Sequence, residues 1–168
     1  VRVAPLGSLI KGHYTDWVAN PAEYPASGMG GANVGPEFTS TELSALRELC
    51  AEERRLLSTS GAQSLSGFEK ALETAVAASG RWKKWLIPDE IGSGFDELEP
   101  SRRGWLVATG ARYIWTDPRV LAARGRLYDN LRPAIPDPHA LVVDRIADNI
   151  RTYVEAFNLS GSLPALLR

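Results

Sequence analysis

Two stretches decide how this chain is read: Ser8-Leu9-Ile10-Lys11-Gly12-His13-Tyr14-Thr15-Asp16-Trp17-Val18 and, after a loop, Gly28-Met29-Gly30-Gly31-Ala32-Asn33-Val34-Gly35-Pro36-Glu37-Phe38-Thr39. Leu9 and Ile10 form an apolar pair that suits a short buried strand. Each stretch ends in polar residues: His13 and Asp16 close the first, and Asn33, Glu37 and Thr39 close the second. Strands that hand over to helices, with polar groups at the handover, are how α/β barrels build sites. The same spacing also suits a plain β-hairpin with surface polar groups.

Working outward, residues 19–31 are rich in Pro, Gly and Ala and read as a long irregular loop. The run Gly28-Met29-Gly30-Gly31 before Asn33 reads two ways. It either presents N–H groups to an anion or makes a tight turn that needs glycine. From Thr39 the pattern turns helical. Thr39 and Glu42 have capping-box spacing, and Leu43, Leu46, Cys50 and Leu57 share a face, which predicts a helix over 39–58. Cys50 on that stripe reads as core.

Ser66 and Glu69 repeat the capping-box spacing ahead of a Phe68, Leu72, Val76 stripe, with Gly80 as its stop. The run Arg81-Trp82-Lys83-Lys84-Trp85-Leu86-Ile87 predicts a short amphipathic helix with Trp packed inward, and Pro88 ends it. Residues 101–115 predict a largely buried helix. Asp117-Pro118 and Asp137-Pro138 each predict a helix start, because Asp caps free N–H groups and Pro at the first position loses no bond. Val142, Ile146, Ile150, Tyr153 and Phe157 line the last helix. Residues 158–168 read as a fraying tail.

Composition bounds the function. Lys and Arg number 19 against 20 Asp and Glu. That balance argues against a nucleic-acid footprint and against a membrane-surface role. No apolar run reaches spanning length. A single cysteine, Cys50, allows no intrachain disulfide, and a cytoplasmic location is expected. The chain opens on Val1, not Met, which suits a crop, a processed form or a start codon read literally as Val. His13 and His139 are the only histidines. His139 falls in the first turn of a predicted helix and reads as solvent-facing. His13 suits a metal ligand or an acid/base with Asp16 nearby, yet one histidine cannot hold zinc without further donors.

Five landmarks in order resemble one family. These are His13-Tyr14-Thr15-Asp16, Val34-Gly35-Pro36-Glu37-Phe38-Thr39, Trp82-Lys83-Lys84-Trp85, Arg112-Tyr113-Ile114-Trp115 with Arg119, and Ile135-Pro136 with Leu141, Asp144 and Ile146. They look like the landmarks of class II D-tagatose-bisphosphate aldolase accessory subunits, the GatZ/KbaZ-like family, over residues 8–157. Glu37 stands where those subunits often carry Ala, the Gly28–Gly31 run looks added, and Thr116-Asp117 replaces a histidine often seen there.

The resemblance implies an α/β fold: the C-terminal portion of a TIM-type β/α barrel, holding its last two strands, with a mostly α-helical extension. Residues 1–60 would be the last two β/α units and 61–168 the extension. It implies a non-catalytic subunit that supports an aldolase in sugar-phosphate metabolism. Two alternatives are part of a metal-dependent ketose-phosphate aldolase or epimerase, and a free-standing helical interaction module. The implied partners are a sugar phosphate or ketose, and a catalytic aldolase subunit or the missing N-terminal barrel segment. Missing strands would leave apolar surface exposed, so an oligomer is expected.

The implied site follows by position. His13, Asp16 and Glu37 would be catalytic, and Asn33, Gly35 and Thr39 would bind substrate. His13 would also ligate a divalent metal, zinc first among the candidates.

Overall fold

The computed structural model describes residues 4–60 and 64–160. The lead-in at 1–3 and the tail at 161–168 lie outside these residues. The chain forms two compact units, one from the described residues up to Thr41 and from Asp144 onward, the other spanning Glu42–Val143.

In the first unit, strand β1 (Ile10–Lys11) pairs in parallel with β2 (Met29–Gly31). Ile10 lies opposite Met29 and Lys11 opposite Gly31, with an irregularity between them. The Gly12 N–H extends the ladder to the Gly31 carbonyl at 2.8 Å. The one-turn helix α1 (Glu23–Ala26) lies in the connection and contacts β2. Helix α2 (Pro36–Ser60) starts in this unit, and most of helix α6 (Pro138–Ala156) belongs to it. Phe38 and Phe157 flank Tyr153, with ring centroids 5.8 and 5.9 Å away.

The expected α/β class, a TIM-type barrel portion with its last two strands, is overturned. The fold is 66 % helical, and the sheet among the described residues has two strands, of two and three residues. This is a mostly α-helical protein. The reason lies in what the strands bury. A parallel barrel strand is apolar on both faces because both are covered. Ile10 and Lys11 are both exposed, and Gly30 and Gly31 have no side chain to pack.

The second unit holds the larger core. The α2 stripe buries Leu43, Ala45, Leu46, Leu49 and Cys50. Helix α3 (Phe68–Ser79) buries Phe68, Leu72, Ala75 and Val76 and packs on α4 (Pro100–Gly110) and α5 (Pro118–Leu131). At the α3–α4 contact a Cβ on Gly110 would lie 3.1 Å from Val76 Cγ1, a tight fit that would make Val76 shift by a few tenths of an ångström. Trp82 is buried, donates its indole N–H to the Ala77 carbonyl at 3.1 Å, and meets Phe95 edge-on at 5.2 Å.

Local start and stop signals act where the residues promise. Asp117 Oδ1 accepts from the Arg119 N–H at 2.9 Å, and Asp137 Oδ1 from Ala140 at 2.9 Å. Gly80 ends α3 at φ 64°, in the left-handed region that a C-terminal cap requires. The Ser66–Glu69 box does not form. Glu69 reaches Arg54 at 2.7 Å instead. Ser66 turns to the buried Glu53, donating its N–H at 2.7 Å and its hydroxyl at 2.8 Å. Asn130 supplies a third donor at 2.6 Å. The expected helix over 101–115 divides into α4 and a 3₁₀ turn, Ala111–Tyr113. Trp105 is not buried: it is 49 % exposed, with the Arg102 guanidinium 4.6 Å from its ring centroid.

Among the described residues no helix is long and apolar enough to cross a membrane. Cys50 is 3 % exposed. Burial first, then the Glu69 and Glu53 carboxylates, push its thiol up to about 12. Thiolate is the reactive form. In native buffer, labelling by a thiol reagent should be negligible, and its rate should rise with denaturant in step with unfolding. Rapid labelling in the absence of denaturant would contradict this core.

Candidate functional site

The polar residues at the ends of β1 and β2 are organised around one carboxylate. Asp16 Oδ1 accepts from the Gly35 N–H at 2.9 Å and the Glu37 N–H at 2.8 Å. Both donors belong to the start of α2, where backbone N–H groups have no intrahelical partner and the helix dipole favours negative charge. The Thr39–Glu42 box is therefore not what starts this helix. It begins three residues earlier, capped from about one strand and one loop upstream. Thr39 instead bonds back to the Gly35 carbonyl, through its N–H at 3.2 Å and its hydroxyl at 3.5 Å.

Glu37 returns the contact. Its Oε2 accepts from the Trp17 N–H at 2.5 Å and from the Tyr153 hydroxyl. Its Oε1 accepts from Asn149 Nδ2 at 3.1 Å, and that amide also donates to Thr41 Oγ1 at 3.0 Å. Beneath the junction, buried Thr15 ties the two strand ends together. Its N–H and hydroxyl donate to the Asn33 carbonyl at 3.2 and 2.8 Å, and Asn33 N–H donates to Thr15 Oγ1 at 3.1 Å. Asp16 Oδ2 and Asn149 Oδ1 are buried acceptors with no donor among the described residues.

The structure thus brings Asp16, Gly35, Glu37 and Thr39 together. It does not join His13 or the Asn33 side chain to them. Both residues are exposed, and Asn33 enters the junction through its backbone alone. The His13 ring lies 6.5 Å from that of Tyr14. Among the described residues no three His, Cys, Asp or Glu side chains converge as a metal site. The oxygens of Asp16 Oδ1 and Glu37 are already directed at N–H and O–H donors.

Thr15, Asn149 and Tyr153 were not candidates on sequence. Tyr153 carried one signal. A hydroxyl on an otherwise apolar stripe needs a partner when buried. Beside the junction lies an open groove of about 540 Å³, lined by Ile10, Val18, Asn20, Glu23, Tyr24 and Met29 among others. None of the expected site residues lines it.

No family model, curated protein or solved structure matches the chain.

The junction makes two measurable demands. Asp16→Ala removes a charge-assisted cap and should cost about 2 kcal/mol in urea unfolding, with an unchanged denaturant slope. A loss too small to measure would mean that α2 is held by packing alone. The second concerns Tyr153, whose phenol is raised to about 12, first by burial, then by its bond to Glu37. The unfolded phenol titrates near 10. An acid raised on folding contributes stability that is intact below about pH 10 and is lost as pH climbs toward 12. Tyr153→Phe should flatten this alkaline decline relative to the parent. Superimposable profiles for the two proteins would refute the assignment.

Proposed function

We propose that this chain is a non-catalytic interaction component that supports the catalytic subunit of a tagatose-bisphosphate aldolase in sugar-phosphate metabolism. The resemblance supplies the partner. One observation carries the choice of a supporting role: the strand-end carboxylates are engaged as structural acceptors, while aromatic side chains beside them stand out in solvent under backbone strain. Tyr14 is 87 % exposed at φ 55°, and Trp17 is 64 % exposed at φ 54°. A bulky residue in the left-handed region costs about 1–2 kcal/mol, and Asn or Gly occupies it more easily. Neither ring is buried in return. Leu6, Leu9 and Ile10 are exposed on the same segment. An apolar and aromatic patch of this kind marks a protein contact.

The test uses the chain mixed with a class II tagatose-bisphosphate aldolase catalytic subunit. The chain should form a complex with it and lengthen the half-life of its activity at a temperature where the subunit alone decays. Tyr14→Asn relieves the backbone strain, so its own melting midpoint should hold or rise, while the complex weakens by about tenfold. A half-life indifferent to the chain overturns the reading. Turnover of a ketose phosphate by the chain alone would favour the metal-dependent aldolase or epimerase alternative.

A further inference from the structure

A second feature lies in the unit spanning Glu42–Val143 and does not depend on the aldolase reading. The run Arg81–Trp85 is a 3₁₀ turn, not an α-helix. With three residues per turn, positions i and i+3 eclipse. Arg81 and Lys84 therefore share one face, and Trp82 and Trp85 share the next. Buried Trp82 fixes the orientation, and Arg102 Nη2 holds the Trp85 carbonyl at 2.5 Å. A second 3₁₀ turn, Ala111–Tyr113, presents Arg112 and Tyr113 to the same place.

The result is a concentration of positive charge around one ring. Lys84 Nζ lies 4.6 Å from the Tyr113 centroid, Arg112 Cζ 4.7 Å and Arg81 Cζ 5.2 Å. No two of these cations are more than about 10 Å apart, given those distances to a shared centroid, and that is close to one Debye length at physiological salt. Lys84 Nζ is also 4.2 Å from the Trp85 centroid. Lys83 adds a fourth charge over Trp82 at 5.9 Å. None of the four has a carboxylate partner among the described residues, whereas Arg102 beside them is paired with Glu90 at 2.8 Å. Burial would raise the Tyr113 phenol, yet Arg112 and Lys84 outweigh it and hold the phenol below its ordinary value. Like charges gathered without counter-charge repel, and ring contacts offset that repulsion only in part at exposed sites.

We infer that Arg81, Lys84 and Arg112, gathered around Tyr113, bind a phosphoryl dianion, carried by inorganic phosphate or by a small phosphomonoester. Arg112 Nη2 donates to the Tyr113 hydroxyl at 2.6 Å; its remaining N–H groups and the Arg81 fork can grip phosphoryl oxygens, and the lysine adds a point charge. The compactness of the cluster favours one small dianion over an acidic peptide, whose carboxylates are spread along a chain. Single-stranded nucleic acid needs open ring faces for its bases. Here cations already lie over the Tyr113 and Trp85 rings.

The experiment titrates the full chain at low salt with inorganic phosphate, with glycerol 3-phosphate and with uncharged glycerol, read by calorimetry and tryptophan fluorescence. Saturable binding of phosphate or the phosphomonoester, and none of glycerol, is expected. Equal affinities identify free phosphate as sufficient; tighter glycerol 3-phosphate identifies an ester ligand. Lys84→Gln and Arg112→Gln should each weaken binding by about tenfold or more. Lys84→Arg should retain most of it, and Arg132→Gln, in an exposed pair with Asp129, should leave it unchanged. Circular dichroism confirms that each variant is folded. Absence of saturation below about 10 mM, or equal binding by the parent and Lys84→Gln, overturns the inference. So does tight binding of a thymidylate oligonucleotide that phosphate does not displace.

Discussion

The Asp16 carboxylate governs the first unit. It closes the N-terminus of a 25-residue helix from a position well upstream. Glu37 answers by accepting the Trp17 N–H. Side chain to backbone in both directions is the logic of a capping box, here spread over two segments instead of one turn. Once these bonds exist, the strand ends, the helix start and the Tyr153 and Asn149 side chains have one mutual arrangement. The left-handed backbone at Trp17 is tolerable for the same reason. Its N–H is held by a charged acceptor, which contributes about 1.5–3 kcal/mol.

Two carboxylates here each accept from three neutral donors. Glu37 takes a backbone N–H, an amide and a phenol; Glu53, 3 % exposed, takes a backbone N–H, a hydroxyl and an amide. Burying a charge is costly unless its lone pairs are satisfied. Three neutral donors meet that need at each carboxylate. Around Tyr113, by contrast, Arg81, Lys84 and Arg112 have no carboxylate partner among the described residues. Buried acids with neutral donors and exposed bases with no acids place the chain's free charge at the surface.

Asp16 and Glu37 are the polar residues most suggestive of chemistry, and both accept backbone N–H bonds that tie the strand ends to the start of α2. The Tyr14 and Trp17 rings stand in solvent, and Arg81, Lys84 and Arg112 gather around Tyr113 without a carboxylate partner among the described residues. Exposed aromatic rings on strained backbone, and clustered like charges, do little for the stability of the chain that carries them.

What the sequence determined by itself was local. Asp117-Pro118, Asp137-Pro138 and Gly80 set helix ends because the groups involved lie within a turn of one another. The Leu43, Leu46, Cys50 stripe and the Phe68, Leu72, Val76 stripe reported core faces through a fixed helical period. Tertiary structure alone decided the rest. Thr39–Glu42 and Ser66–Glu69 had the spacing of capping boxes, but Asp16 and Glu53 arrive from elsewhere in the chain as stronger acceptors. The barrel expectation failed because a strand two or three residues long is defined by what covers it, and nothing in Ile10-Lys11 or Met29-Gly30-Gly31 specifies a cover. The three donors to Glu37 come from Trp17, Asn149 and Tyr153, and no neighbouring residue announces them. Local conformational preference is encoded within a few residues, whereas the choice of a hydrogen-bond partner depends on which distant groups the folded chain brings within 3 Å.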